Sequence, residues 1–150
     1  RYFAFREGDR SFFPIGTNLG WGGTADERDG WIAKLAANGG NWIRVWLAPG
    51  WTTFGIEEAG PAEEGKGLGR YRRAKFADLD RLMRTCREKG VYVQFCIQSY
   101  NDFRDRDAFN EWEKSPWNLR NGGPLRIWSD LFDDADADRL FRRKLRTLVA

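Results

Sequence analysis

The sequence predicts an α/β protein built on a parallel sheet, and three features of the 150 residues predict it. Apolar periodicity switches between two residues and 3.6 along the chain, giving strand, helix, strand, helix, strand, helix behind an N-terminal hairpin. The joints that enter strands are as short as Gly39-Gly40 and Gly90, whereas the segments that leave them run over about residues 48–74 and 99–132. Those long segments are aromatic, holding Trp51, Tyr71, Tyr100, Trp112, Trp117 and Trp128. Short connections at the amino ends of strands and long ones at the carboxyl ends place a site at the carboxyl face. A doubly wound sheet meets this pattern; the first three βα units of a (β/α)8 TIM barrel behind a hairpin suit it at least as well.

The hairpin is read from Tyr2-Phe3-Ala4-Phe5 and Ser11-Phe12-Phe13-Pro14-Ile15 around the turn Glu7-Gly8-Asp9-Arg10, its second arm running on toward Asn18. Thr24 and Glu27 then stand at capping-box spacing before Trp31, Ile32, Leu35 and Ala36, a helix closed by Asn38-Gly39-Gly40. Trp31 is expected in the core. The strand over residues 41–47 follows, with Ile43, Val45 and Leu47 on one face and Trp42, Arg44 and Trp46 on the other. A second helix is predicted over about residues 75–89, with Phe76, Leu79, Leu82, Met83 and Cys86 inward and Gly90 as its stop. Residues 91–98 read as a near-continuous apolar strand covered on both sides. The last helix starts at about Asp134 and points Ala137, Leu140, Phe141, Leu145 and Leu148 inward.

Composition excludes several functions. Apolar and charged fractions of 41% and 31% belong to a globular chain, and no apolar run approaches the roughly 20 residues that cross a bilayer. A net charge of +3, from 25 bases and 22 acids, gives little long-range attraction to nucleic acid. The cluster Arg142-Arg143-Lys144 reads as a solvated helix face. No histidine occurs, so neither a Ser-His-Asp site nor a histidine zinc site can be assembled from these residues, and no metal or cofactor is expected. Cys86 and Cys96 read as two buried thiols. Nothing near Arg1 has the pattern of a signal peptide, so no compartment is assigned, though secretion is compatible with the sequence. The stretch from Gly60 to Gly67 superficially matches a phosphate loop, but Gly67 stands where Ser or Thr is needed and glutamates sit where phosphate would go. Glu57, Glu58, Glu63 and Glu64 are read as solvated charges.

Two signals point to a ligand. Arg44 sits between tryptophans on a strand, and a permanently charged guanidinium in an enclosed place calls for a carboxylate. The loop aromatics suit carbohydrate, because the apolar face of a sugar stacks on indole or phenol while its hydroxyls need polar partners. Asn18, Gln98, Asn101, Asn118 and Asn121 are the candidates to supply them. Trp21, Trp46, Trp51, Tyr100 and Trp117 are the candidate stacking rings.

Three segments, 13–21, 38–46 and 118–124, together resemble clan A glycoside hydrolases, nearest to cellulase-like and mannanase-like enzymes of or near family 5. The resemblance spans nearly all of the chain. It implies a (β/α)8 barrel that cleaves β-linked polysaccharide with retention, using an acid/base glutamate after the fourth strand and a nucleophilic glutamate after the seventh. Arg44 matches the arginine that hydrogen-bonds the nucleophile in that family. A whole barrel takes about 250 residues, so residues 1–150 would be the amino-terminal portion of one catalytic domain, ending before the fourth strand and both glutamates. Such a portion is expected to be inactive alone, and to need the remainder of the barrel or self-association to cover its open sheet edge. A non-catalytic carbohydrate-binding module with Trp21, Trp51, Tyr100 and Trp117 as its platform is the alternative.

Overall fold

A computed structural model describes residues 3–8, 10–48, 52–58, 66–106 and 111–150. Five strands and three α-helices follow one another as β1 (Phe3–Ala4), β2 (Ser11–Phe12), β3 (Gly16–Asn18), α1 (Ala25–Ala37), β4 (Trp42–Trp46), α2 (Arg73–Lys89), β5 (Tyr92–Cys96) and α3 (Ala135–Val149), with short 3-10 turns between β5 and α3. Strands β3, β4 and β5 form a parallel sheet in that order, and β1 pairs with β2 in a separate antiparallel ribbon.

The partial TIM barrel expected from the sequence is not what forms. The fold is mixed α/β, with three helices, one two-stranded antiparallel ribbon and one three-stranded parallel sheet that stays open. Helices α1 and α2 pack on each other and bury one face of the sheet. Helix α3 bridges the two cores, since Leu148 packs on the first. It packs beside the turn Trp128–Phe132 and, through Phe141, against Trp117. The third strand-helix unit therefore divides its helix between the first core and a loop-built second one that holds Ala137, Leu140 and Phe141.

Strand β4 explains the first core. Ile43, Val45 and Leu47 are fully buried with Ile32, Leu79, Leu82 and Cys86, and each such side chain contributes roughly 1.5–3 kcal/mol. The capping box at the start of α1 forms as its spacing requires: the Thr24 hydroxyl accepts from Glu27 N, and Glu27 Oε2 accepts from Thr24 N at 2.7 Å. Gly90 ends α2 in the left-handed region at φ 68°, where a side chain would be strained. Two expected core residues point elsewhere, since Trp31 and Met83 are 40% and 45% exposed. Strand β5 is not covered on both sides either; Gln94 faces solvent while Val93 and Phe95 turn toward the helices. The second arm of the hairpin is broken near Pro14 into β2 and β3, and Tyr2 and Asp9 of that hairpin lie outside the described residues. Phe12 packs on Trp42 and Tyr92, and Phe5 on Tyr92, so the ribbon covers the amino end of the second sheet face.

Helices α1 and α2 are also clasped by charge. Arg81 binds both Asp26 and Asp29, and Thr85 Oγ1 donates to Asp29 Oδ1 at 2.8 Å. Burial alone would raise the Asp29 pKa, but the hydrogen bonds from Arg81 and Thr85 together with the Arg81 charge outweigh it and hold the carboxyl below its ordinary range. The folded pKa is thus lower than the unfolded value of about 3.9, so the stability it confers is full above that value and disappears as pH falls through the folded pKa. Asp29→Asn should lower the melting temperature at pH 7 by more than it does at pH 2; an equal loss at both values would show that the clasp acts by packing rather than by charge.

Candidate functional site

The site follows from register. Asn18 pairs with Arg44 and Arg44 with Gln94, so these three residues form one cross-strand row on the face that the helices leave open. The next row toward the carboxyl end holds Trp46 beside Cys96, and the preceding one holds Gly16, Trp42 and Tyr92. The ribbon covers that last row. What remains open is the Asn18-Arg44-Gln94 row and the carboxyl end beyond it, where all three residues of the row are exposed.

Arg44 is held without a carboxylate. Its Nε donates to Cys96 Sγ at 3.0 Å, and its guanidinium carbon lies 4.6 Å from the centre of the Trp46 ring. The enclosed arginine expected from the sequence is instead exposed, because the open sheet leaves its face in water, and water supplies the solvation that a buried carboxylate would have had to supply. Among the described residues no ion pair to Arg44 forms. Its two Nη groups have no partner among the described residues, and the planar fork suits a carboxylate or paired hydroxyls.

Trp46 is fixed from several sides. A Cβ on Gly20 would stand 2.9 Å from the Trp46 ring, so the absence of a side chain there lets the indole lie against the backbone. Trp21 packs on Trp46 with centroids 5.2 Å apart and planes 31° from parallel, and is itself 51% exposed. An outer indole on a pinned inner one, beside an amide and a guanidinium, is a platform for a ring with an apolar face and polar rim. A shallow pocket of about 280 Å³ between Asn18, Thr17, Trp42 and Arg44 continues it.

The other predicted site residues divide. Tyr100 is 74% exposed and lines a separate cleft at the end of β5. Asn101 is half-buried, its Oδ1 enclosed with no donor among the described residues. Trp117 is 1% exposed and belongs to the second core with Trp112, Leu125 and Ala137. Trp51 lies outside the described residues, as do residues 60–65 of the phosphate-loop-like stretch, including Glu63 and Glu64.

The loop asparagines are structural. Asn118 Nδ2 donates to Trp112 O and its Oδ1 accepts from Arg120 N, both at 3.0 Å, while Asn121 Nδ2 donates to the carbonyls of Glu113 and Ser115. Gln98 is engaged by Asp102 and by Lys144. The Asn118 and Gln98 amides are engaged through both oxygen and nitrogen and Asn121 through its nitrogen, and only Asn18 of the expected set faces the platform. Cys86 is buried, and burial pushes its thiol up to about 11; Cys96 is half-buried on the open face.

Sequence reasoning missed a buried ion pair. Lys144 Nζ lies 3.0 Å from Glu57 Oε2, with the side chains 1% and 2% exposed, although both residues read as solvated. Glu57 Oε1 also accepts from Gly69 N at 2.8 Å, and Lys144 Nζ reaches Gln98 Oε1 at 3.4 Å. A signal existed: residues 137, 141, 144 and 148 keep a better helical period than 145 does. Leu145, expected inward, is 37% exposed, and Lys144 takes the inward place.

No protein-family model matches the chain, and no curated protein matches its sequence.

Proposed function

We propose that the open face of the sheet binds carbohydrate, and that the chain is the part of a retaining glycoside hydrolase that contributes this surface and Arg44. The observation that carries the reading is the Trp21–Trp46 pair standing next to the Asn18-Arg44-Gln94 row. A β-linked glucan or mannan presents C–H faces that desolvate well on indole and hydroxyl edges that bond to an amide and a guanidinium.

The chemistry follows from the arginine. Double displacement needs two carboxyls about 5 Å apart, one attacking the anomeric carbon and one protonating the leaving oxygen before activating water. Arg44, exposed on the open face, suits the task of keeping the attacking carboxylate ionised, since a cation within about 4–6 Å favours the charged form. The two glutamates come from outside these residues. Residues 1–150 alone bind and do not hydrolyse.

A second reading, a carbohydrate-binding module with no hydrolytic role, is favoured by one observation: among the described residues no carboxylate pairs with Arg44. Cello- and manno-oligosaccharide titrations by tryptophan fluorescence test the shared claim. Trp21→Ala should weaken binding about ten- to hundredfold, the equivalent of roughly 1.5–3 kcal/mol of apolar contact. An unchanged Kd in that variant removes the platform. Turnover of aryl glycosides by the purified 150-residue chain would show that the catalytic carboxyls lie within it.

A further inference from the structure

The open face is a trough that runs across the strands. On the amino side of the Asn18-Arg44-Gln94 row stand Trp42 and Tyr92 with Phe12 packed on both, and on the carboxyl side stands Trp46 with Trp21 on it. Each wall is one row away, two residues or about 6.6 Å along the strands. Strands β3 and β5 are the two edges of the sheet, so among the described residues no further strand closes the trough at either end. A linear molecule seated here lies perpendicular to the strands.

The floor of the trough holds three polar side chains. Asn18 and Gln94 are exposed and have no hydrogen-bond partner for their side chains among the described residues, in contrast to the engaged amides of Gln98 and Asn118. Arg44 commits Nε to Cys96 and keeps both Nη groups unpartnered. Register sets the spacing, because neighbouring strands lie about 4.8 Å apart and the three residues follow one another at nearly equal steps. Their order is amide, guanidinium, amide.

We propose that the trough seats three successive units of a 1,4-linked β-glycan laid across the strands, with Gln94 binding the third unit. This rests on the carbohydrate reading of the open face and adds to it the path of the chain and a residue that the sequence did not single out. In an extended 1,4-linked β-chain one pyranose unit is about as long as one strand spacing, and each unit is turned about half a turn from the one before. Units one and three therefore present the same edge, and the middle unit presents the opposite one. The row repeats in the same way, with carboxamides at both ends that donate to and accept from hydroxyls and a donor-only guanidinium between them. Trp21 follows Asn18 on the β3 side, so stacking serves that end of the chain; hydrogen bonding by Gln94 serves the β5 end.

Titration of the 150-residue chain by tryptophan fluorescence with cellobiose, cellotriose and cellotetraose reads the path. Kd should tighten about three- to tenfold from two units to three, the scale of one amide contact, and stay level from three to four. In Gln94→Ala the trisaccharide should bind as weakly as the disaccharide. Gln94→Thr, which keeps strand preference at an exposed edge position, should show the same loss at an unchanged melting temperature. Laminaritriose, whose 1,3 linkages curl the chain, should show no gain over laminaribiose. Cello-oligosaccharides that bind without a step at three units, a step that survives Gln94→Ala, or an equal step with laminaritriose overturns the trough and leaves the Trp21 platform standing. If no oligosaccharide binds, the open-face reading fails and this proposal fails with it.

Discussion

Replacing Lys144 with alanine should lower the unfolding free energy by about 3–5 kcal/mol, the scale for removing one partner of a buried pair. The size comes from burial. Glu57 sits 3% exposed among Phe54, Ile56 and Gly69, and without the ammonium its carboxylate would keep only the Gly69 N–H as a partner for its charge. An exposed pair of the same geometry would give about 0–1 kcal/mol. The paired replacement Glu57→Gln with Lys144→Met should recover most of the loss, because it removes both charges and keeps an acceptor for Gly69 N–H. Urea midpoints at constant slope measure it. A Lys144→Ala chain within about 0.5 kcal/mol of the parent would place this pair in solvent.

The pair also connects three segments that make the sites. Glu57 lies in the segment after β4, Lys144 on α3, and Gln98 just beyond β5. Gln98 in turn holds Asp102, which caps the turn carrying Tyr100. Loss of Lys144 should therefore loosen the cleft wall along with the fold.

Trp117→Ala should be equally damaging, about 3–5 kcal/mol, while leaving oligosaccharide affinity intact wherever the chain remains folded. Trp117 is 1% exposed, with Phe103 at 6.1 Å and Phe141 at 6.5 Å between ring centres, so truncation opens a cavity in the second core. Its Nε1 has no acceptor in that core. Trp117→Phe, which removes this unmade bond and keeps most of the ring, should cost at least about 2 kcal/mol less than alanine. Thermal unfolding and sugar titration on both variants decide between core and platform. A stable Trp117→Ala chain that no longer binds sugar would return this residue to the binding surface.

Much of the local structure was legible in the residues. Thr24 and Glu27 announce α1, Gly90 stops α2, Asp134 caps α3, and the alternation over Ile43, Val45 and Leu47 puts the core on one face of β4. The parallel order was legible because three strands alternate with helices. What local pattern does not hold is partner choice across distance. That α3 serves a second, loop-built core as well as the first depends on Phe141 meeting Trp117, a contact that no spacing encodes. Trp117 and Trp21 are both loop tryptophans by sequence; one closes a core and the other lies open because their neighbours differ. Glu57 and Lys144 stand 87 positions apart, and each is an ordinary surface charge until the other is placed beside it. The platform itself was half legible: Asn18, Arg44 and Trp46 were singled out, but Gln94 joins their row only through the register of β4 on β5.

A crystal structure of the chain with cellohexaose or mannohexaose tests the central claim most directly. The expected result is a sugar ring on Trp21 with hydroxyls within hydrogen-bond distance of Asn18 and the Arg44 guanidinium, and Trp46 unmoved beneath. Sugar bound elsewhere with the open face empty, or no bound sugar at saturating concentration, would contradict it.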